Sequence, residues 1–449
     1  MAKRRIAYFV ERAQLLDPFQ SGFRSGRSTA DNTGMLTLSV LQGFNEKKFT
    51  AAFFADVQGA YDNDNPQELI LKLSQMNFPS STIKFIAQPL FQRKIFTTYN
   101  GKILGPRTTS RGLPQGDIMS PLLYTADVSR IFQPEIQVLQ YADDICLMAQ
   151  GKDLLQTIQR IETAANLLSD NMESRGIPLS PAKSQLIMFI RRNNQPQAAQ
   201  IHVKGAPVLE TKNAKFLGLL YDKKLNWKAH IDIICQKAKK RAKFIKSLIN
   251  FRWGAHPQSL LNLYKSLIRP VFEYNAGIYD PRTQENWHKI EVIQNDARRT
   301  AMGCLKSTPI PSLMAESGEL PIRLRMKTIV QKTILRWAGR SENPVVRMLN
   351  RLNVELRFHQ TPILLKSLRE LPINLDTDIE HSTLAEKYRN PFDFRHIHNM
   401  IQIETASLPR LSMTLLILLT RQIQMSNELR INRQTPTTNL ERESGEDPT

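Results

Sequence analysis

Cysteine is scarce in this sequence, with three residues in 449: Cys146, Cys235 and Cys304. They lie far apart along the chain. They therefore form neither the disulfide framework of a small secreted domain nor the paired spacing of a zinc cluster. The sequence predicts free thiols and a reducing compartment.

Long apolar runs are also lacking. The longest run outside the candidate core strands, Leu411–Leu419, is far shorter than the ~20 residues that a helix needs to cross a bilayer. The opening segment, Met1–Leu16, is basic but has no sustained apolar core, so we expect no secretory signal there. Both absences predict a protein without a membrane partner.

Acidic residues are outnumbered: 41 Asp and Glu face 61 Lys and Arg, a net charge of +20. Such a surplus favours a polyanionic partner, with nucleic acid first and an anionic membrane surface second. The densest basic run predicts five nucleic-acid contacts: Lys237, Lys239, Lys240, Arg241 and Lys243. A solvated helix face is the alternative for that run taken alone.

The length and the change of pattern along the chain predict three parts. Strands and helices mix over 1–222, basic helices dominate 223–345, and a weakly structured tail is expected over 346–449.

Two acidic residues interrupt an apolar stretch, "IQVLQYADDICLMA" (Ile136–Ala149), at Asp143 and Asp144. Unpaired carboxylates inside a core are very costly. A strand–turn–strand that folds at "YADD" would instead carry them to an exposed tip. A second apolar run, "FTAAFFADV", ends on Asp56, and its strand could place a third carboxylate beside them.

Such a carboxylate cluster is tolerable where divalent cations neutralise it. Mg²⁺ prefers oxygen ligands and commonly shares carboxylates with substrate phosphates. Two ions ~4 Å apart form the machinery of in-line phosphoryl transfer. The alternative is a chance pair of aspartates in a loop.

Six stretches resemble, in order, the motifs of reverse transcriptases. They are a fingers segment "QSGFRSGRSTADN", the first aspartate motif "FFADVQGAYD", the Pro-Gln-Gly motif "RGLPQGDIMSPLL", the YxDD motif "QYADDICLMA", a lysine motif "GIPLSPAKSQLIMF" and a primer grip "KFLGLLYDKKLNW". Further downstream, "LIRPVFEYNAGIYDP" and "KIEVIQNDARRTAMGC" are most similar to non-LTR (LINE-like) retrotransposons.

This resemblance implies an α+β right-hand polymerase of fingers, palm and thumb, with an antiparallel palm sheet and a helical C-terminal extension. The implied activity is RNA-directed DNA synthesis for a retrotransposable element. A DNA primer would be extended along an RNA template with deoxynucleoside triphosphates. Two Mg²⁺ ions, or Mn²⁺ in their place, would support nucleotidyl transfer. The nucleus and/or the cytoplasm follow from that role; oligomeric state is not predicted.

The resemblance also assigns roles to residues. Asp56, Asp143 and Asp144 would be the catalytic metal ligands. Lys183 would protonate the leaving pyrophosphate, with an ordinary surface lysine as the alternative. The primer grip would comprise Phe216, Leu217 and Gly218.

The implied nucleotide-binding residues are Tyr61, Gln115, Gly116 and Arg24. The Tyr61 ring would exclude a 2′-hydroxyl, unless it is a core tyrosine. Gln115 and Gly116 would lie against the incoming nucleotide and its template base. Arg24 would clamp the triphosphate, or else contact a backbone phosphate.

The chain also departs from the family. No endonuclease region and only part of the fingers precede the motifs, Asp117 stands where Ser is usual, and Ser180 stands where Asn is usual. We therefore keep a second hypothesis, an N-terminally truncated, decayed remnant that binds nucleic acid without efficient synthesis. A third is a host-adopted interaction protein that uses only the basic helices.

Overall fold

The computed structural model describes residues 2–57, 65–88, 90–91, 93–109, 112, 128–191, 198–249, 254–339, 343–355 and 362–371. All of them belong to one compact unit, residues 1–386. Tyr61, Gln115, Gly116 and Asp117 lie outside the described residues, as does the chain from residue 372 onward.

Helices and strands mix over the first half, and helices follow. The strands are β1 (Phe49–Ala55), β2 (Arg93–Tyr99), β3 (Lys102–Thr109), β4 (Ile136–Tyr141), β5 (Asp144–Gly151), β6 (Gln185–Phe189), β7 (Gln200–Val203), β8 (Ala206–Leu209), β9 (Asn213–Phe216) and β10 (Leu219–Asp222). The early helices are α1 (Ala2–Arg12), α2 (Thr29–Asn45), α3 (Pro66–Gln75), α4 (Ser80–Ala87) and α5 (Leu154–Ser174). The later ones are α6 (Lys228–Ser247), α7 (Pro257–Leu263), α8 (Arg269–Glu273), α9 (Gln284–Met302), α10 (Ile310–Ser317), α11 (Ile322–Ala338), α12 (Pro344–Glu355) and α13 (Ile363–Arg369).

A four-stranded antiparallel sheet, in the order β4-β5-β1-β6, forms the centre of the fold. Its two faces enter two separate hydrophobic cores. One core takes Ala52, Phe54, Cys146, Met148, Ile187 and Phe189, and the other takes Ala51, Phe53, Ile145, Leu147, Leu186 and Met188. Because successive side chains of a strand point to opposite faces, a sheet covered on both sides needs continuous apolar runs. This explains why "FTAAFFA" and "ICLMA" show no alternation.

Local end signals fix the helices that cover the sheet. The Asp153 carboxylate caps α5 by accepting a hydrogen bond from the Gln156 amide (2.7 Å), and Asn65 caps α3, where Pro66 occupies the first turn. Past the end of α5, Gly176 has a φ of +81°, a left-handed conformation that costs glycine little.

The C-terminal region corrects one prediction. A weakly structured tail was expected from residue 346, but α12 and α13 continue the helical packing to residue 369. The reason is a buried face at helical spacing, made by Val345, Val346, Leu349 and Leu352. The side-chain amide of Asn343 also donates to the buried Asp31 carboxylate at the start of α2 (3.0 Å), and this bond holds the region against the N-terminal half.

Within the described ranges, no helix combines the length and the apolar character needed to cross a bilayer.

Candidate active site

The "YADD" segment forms the tip of a tight hairpin, as the sequence predicts. Strands β4 and β5 pair from Ile136↔Ala149 to Tyr141↔Asp144, so that Ala142 and Asp143 make the turn. Asp143 and Asp144 are both exposed, although the strands behind them are buried. The hairpin therefore resolves the conflict between an apolar run and two charges.

Asp56 lies at the same end of the sheet. Strand β1 pairs with β5 up to Ala55↔Ile145, and Asp56 is the next residue. The loop that contains the lysine motif holds its backbone. The Asp56 amide donates to the buried Ser184 hydroxyl (3.1 Å), and the Ser180 amide donates to the Asp56 carbonyl (2.8 Å). Three carboxylates thus converge through strand register and a short hydrogen-bonded loop.

Their mutual influence shows in the pKa of Asp144, which is raised from 3.8 to about 6. Burial is the largest cause, because the protein around the tip withdraws solvent from a side chain that still reaches the surface. The charges of Asp143 and Asp56 raise the pKa further, and Lys215 lowers it. The site therefore holds an excess of negative charge that a cation would stabilise.

The donor set fits a hard divalent cation, since it consists of carboxylate oxygens. Among the described residues, no three His, Cys, Asp or Glu side chains are arranged closely enough to hold a metal ion by themselves. A metal ion here would therefore need further ligands, such as the substrate phosphates and water that commonly complete the coordination of Mg²⁺. Asp56, Asp143 and Asp144 are the residues that would supply the protein ligands.

Lys183 lies in the loop that holds Asp56. Its side chain is exposed, and its amide donates to the Ser180 carbonyl (3.2 Å). Ser180, the departure from the family, is buried and holds Asp56 through its backbone amide. An Asn side chain is not required for that contact. The role of Lys183 as a proton donor stays a prediction.

The predicted primer grip is the turn of a second hairpin, between β9 and β10. Leu217 and Gly218 both have positive φ, +43° and +82°, as in the tight turns that favour glycine. Phe216 differs from its two neighbours. It is buried, and its ring packs on Phe54 of β1 with the ring centroids 5.1 Å apart. Phe216 therefore joins this turn to the strand that ends at Asp56.

Sequence reasoning missed a tyrosine that braces this turn. The Tyr274 hydroxyl contacts the Leu217 carbonyl (2.9 Å) and the Thr29 hydroxyl (3.2 Å). A Cβ at Gly218 would come within 2.9 Å of the Tyr274 ring. The available signal was the position of Tyr274 within the family-like stretch "LIRPVFEYNAGIYDP".

The loop before α2, which contains Gln20, Ser21 and Gly22, contacts the "YADD" turn and the end of β4 directly. The Ser21 amide donates to the Gln140 carbonyl (2.9 Å), and Gln20 pairs with Gln140 in an isolated parallel bridge. A Cβ at Gly22 would lie 2.4 Å from the backbone nitrogen of Ala142. Glycine is therefore required here by close approach.

Arg24 holds the loop that it belongs to. Its guanidinium pairs with both carboxylate oxygens of Glu11 (2.8 and 2.6 Å) and donates to the carbonyls of Asp17 and Gln20. An arginine has five donors in a fixed fork, and four are used in these bonds. The role of Arg24 in binding a triphosphate stays a prediction.

The five basic residues predicted to bind nucleic acid all lie on the exposed side of α6. The opposite side packs into the core through His230, Ile231, Ile234 and Ala238. Arg241 also donates to the Leu267 carbonyl (2.6 Å), so it contributes to packing as well as to charge.

Comparison with known proteins supports the resemblance. Residues 1–221 match the family described as reverse transcriptase (RNA-dependent DNA polymerase). A probable RNA-directed DNA polymerase from transposon BS of Drosophila melanogaster is 26% identical over 309 residues, which cover 67% of this chain and 34% of that protein. The RNA-directed DNA polymerase from mobile element jockey of the same fly is 22% identical, covering 64% and 32%.

A further relative is the Pol polyprotein from type-1 retrotransposable element R1 of Bradysia coprophila, which is 22% identical and covers 59% of this chain and 26% of that protein. The chain spans about a third of the length of the relatives from transposon BS and jockey. Among solved structures, apo telomerase from Candida tropicalis overlaps with a TM-score of 0.39 at 12% identity, covering 82% and 60% of the two chains. That overlap is too loose to support a conclusion.

The motifs, the sheet that brings three aspartates together and the family match agree: residues 1–221 form a reverse transcriptase domain, and its relatives are polymerases of LINE-like mobile elements.

Proposed function

We propose that this protein is an RNA-directed DNA polymerase of a retrotransposable element. One observation carries the proposal: the register of β1 against β5 that brings Asp56 beside Asp143 and Asp144. Three carboxylates at one end of the sheet, in a chain with a net charge of +20, fit a metal-assisted reaction of phosphate groups.

Each side chain has a distinct task in this chemistry. Asp56, Asp143 and Asp144 would hold two Mg²⁺ ions. Ions bound by these carboxylates would supply Lewis-acid chemistry, lowering the pKa of a primer 3′-hydroxyl and neutralising charge on the triphosphate and on the pyrophosphate that leaves. Lys183, exposed on the loop beside Asp56, would give a proton to that pyrophosphate. The braced turn at Leu217 and Gly218 would hold the primer end.

The proposed architecture is the right-hand arrangement. Partial fingers and a palm would occupy 1–222, and a basic helical thumb and extension would occupy 223–345. The exposed basic side of α6 would hold an RNA–DNA duplex through its phosphates. Such contacts add affinity without sequence preference, and they weaken steeply as salt rises.

A primer-extension assay tests the proposal. The purified chain receives primed poly(rA), dTTP and Mg²⁺, and product length is followed on a gel. We expect extension by the wild type and a loss of at least about a hundredfold for Asp143→Asn, since this substitution removes a metal ligand while keeping the size of the side chain. The matched control is Asp296→Asn on the exposed side of α9, which should extend as the wild type does.

Two outcomes would contradict the proposal. One is extension that survives Asp143→Asn, because the carboxylates would then not be the catalytic centre. The other is no extension by the wild type together with salt-sensitive RNA binding, which would instead support the binding-only remnant.

A further inference from the structure

Strands β2 and β3 form a two-stranded ribbon, residues 93–109, that we call the exposed ribbon. All side chains from 94 to 99 and from 102 to 108 are exposed. Large apolar side chains are among them, with Tyr99 67% and Ile103 73% exposed. An isolated two-stranded ribbon is marginally stable in water, so a surface of this kind is typical of one that a partner covers.

One face of the exposed ribbon interleaves apolar and cationic side chains. Strand pairing sets Tyr99 opposite Lys102 and Ile95 opposite Arg107. Tyr99 and Ile95 share a face of β2, and an irregularity in the register, with one extra residue on β3 between the two pairs, keeps Lys102 and Arg107 on that face. Leu104, paired with Thr97, lies between them. The face therefore carries a ring and two aliphatic groups beside two cations.

The charge around this ribbon has a single sign. No Asp or Glu occurs in the sequence between Glu68 and Asp117. An apolar protein surface laid on the face would bury two cations without partners, which is costly. A single strand of nucleic acid suits it, since bases stack on aromatic rings while phosphates meet lysine and arginine. The two cross-strand pairs lie about 13 Å apart, at about 3.3 Å per residue, and that distance spans roughly four stacked nucleotides.

The base of the ribbon contacts the stretch that resembles the Pro-Gln-Gly motif. The Arg93 guanidinium donates to the Gly112 carbonyl (2.6 Å), and Gly112 is the second residue of "RGLPQGDIMSPLL". We infer that the exposed ribbon binds an unpaired nucleic-acid strand, which is the template overhang if the proposed function holds. The name "template" rests on that proposed function; binding of a single strand does not.

A binding experiment on the full chain tests this inference. Fluorescence anisotropy compares a blunt RNA–DNA duplex with the same duplex carrying an unpaired RNA overhang of about 10 nucleotides, within the usual range of single-strand sites. The double variant Lys102→Gln/Arg107→Gln should weaken binding of the overhang substrate at least about fivefold and reduce its salt slope by about 1.4, the value for two phosphates of a single strand. Binding of the blunt duplex should not change.

Two sets of control variants are needed. One shows whether the position of the lost charges matters, and the other shows whether the aromatic ring of Tyr99 is what binding requires. Lys152→Gln/Lys306→Gln removes the same charge at exposed sites outside the ribbon and should leave overhang binding unchanged. Tyr99→Ala should weaken overhang binding about fivefold or more, whereas Tyr99→Phe, which keeps a ring, should bind as the wild type does. Thermal melting of each variant checks that the fold is intact.

The outcomes distinguish this inference from the proposed function. Equal losses on the blunt and overhang substrates, or no loss on either, would overturn the ribbon's role even if the wild type extends primers. A selective loss on the overhang supports the ribbon even in a chain that extends nothing. The inference would also be overturned if the wild-type protein used the ribbon to bind neutral lipid vesicles or a protein while the ribbon variants bound RNA as the wild type does.

Discussion

Two hairpins of this molecule have the same local structure and opposite surroundings. The catalytic hairpin, β4–β5, lies inside a four-stranded sheet with both faces in hydrophobic cores, and its tip carries two carboxylates. The exposed ribbon, β2–β3, is solvated on both faces and carries cations.

The difference shows how burial is matched to chemistry. Carboxylates that bind metal must be held in a fixed geometry, and a strand pair packed on both faces provides that rigidity. A surface that receives a long, variable polyanion needs access and charge more than a fixed geometry. The sequence separates the two tasks by placing acids at a buried hairpin's tip and excluding them from the ribbon.

The largest expected effect concerns stability. Leu147 on β5 is fully buried, and Ile103 on β3 is 73% exposed. Leu147→Ala should lower the free energy of unfolding by about 2–5 kcal/mol, because it leaves a cavity in the core. Ile103→Ala should change it by less than about 0.5 kcal/mol. Urea denaturation measures both; similar losses would mean that the ribbon is packed in solution.

The second effect compares a glycine beside each hairpin, Gly22 at the "YADD" turn and Gly101 at the tip of the exposed ribbon. Gly22→Ala would place a Cβ 2.4 Å from the Ala142 nitrogen, so that backbone must move beside the catalytic turn. We expect a loss of about 1–3 kcal/mol in stability and of at least about tenfold in primer extension. Gly101→Ala at the ribbon tip meets no atom within 4 Å but keeps a φ of +74°, which should cost about 1 kcal/mol in stability and lower extension less than Gly22→Ala does. Unimpaired extension by Gly22→Ala would show that the loop does not position the turn.

The third effect is a pH dependence confined to the catalytic hairpin. Because the folded-state pKa of Asp144 is raised to about 6, the folded protein binds this proton more tightly than the unfolded chain. When a chelator has removed metal ions, the stability that the protonated Asp144 carboxyl contributes should be present below about pH 4 and should fall as the pH rises to about 6. Solvent screening of this exposed group limits the change to about 1 kcal/mol.

Asp144→Asn should lack that component, so the difference in unfolding free energy between wild type and variant should vary between pH 4 and 6 and stay flat above. A constant difference would mean that neither burial nor the neighbouring carboxylates raise the pKa of Asp144 in the folded protein. The described part of the ribbon contains no Asp, Glu or His and should contribute nothing in this window.

The smallest effect compares the two turns. Ala142 has a φ of +59° and Asn100 a φ of +48°. Asn tolerates the left-handed region better than Ala, so Ala142→Gly should stabilise the protein by up to about 1 kcal/mol and Asn100→Gly by only a few tenths. Thermal denaturation compares them, and an equal response of the two turns would contradict this account.

The local structure of the candidate site, a tight hairpin at "YADD" and a strand followed by Asp56, could be predicted from the sequence because its signals are local. The apolar runs, the "DD" pair at a turn and the aspartate that ends a strand each specify a short structure, and strand pairing brings them together. The resemblance to reverse transcriptases supplied the family, which the comparisons confirm.

The long-range contacts could not be predicted in this way. Nothing near Gly22 indicates that it meets Ala142, and nothing near Arg24 indicates that Glu11 takes its guanidinium. The helices at 344–369 carried a readable signal, since Pro344 precedes apolar residues at helical spacing. Short helices without a long periodic pattern are easily taken for a tail.

The bridge between Gln20 and Gln140 has a consequence of another kind. Strand β4 is an edge of the central sheet, and the opposite edge, β6, meets Glu210 through a similar isolated parallel bridge at Leu186. An uncovered edge is a template on which strands from other molecules can add and aggregate. Each bridge interrupts its edge, so an incoming strand could not pair along the full length. The loop that contacts the "YADD" turn thereby also protects the folded protein against self-association.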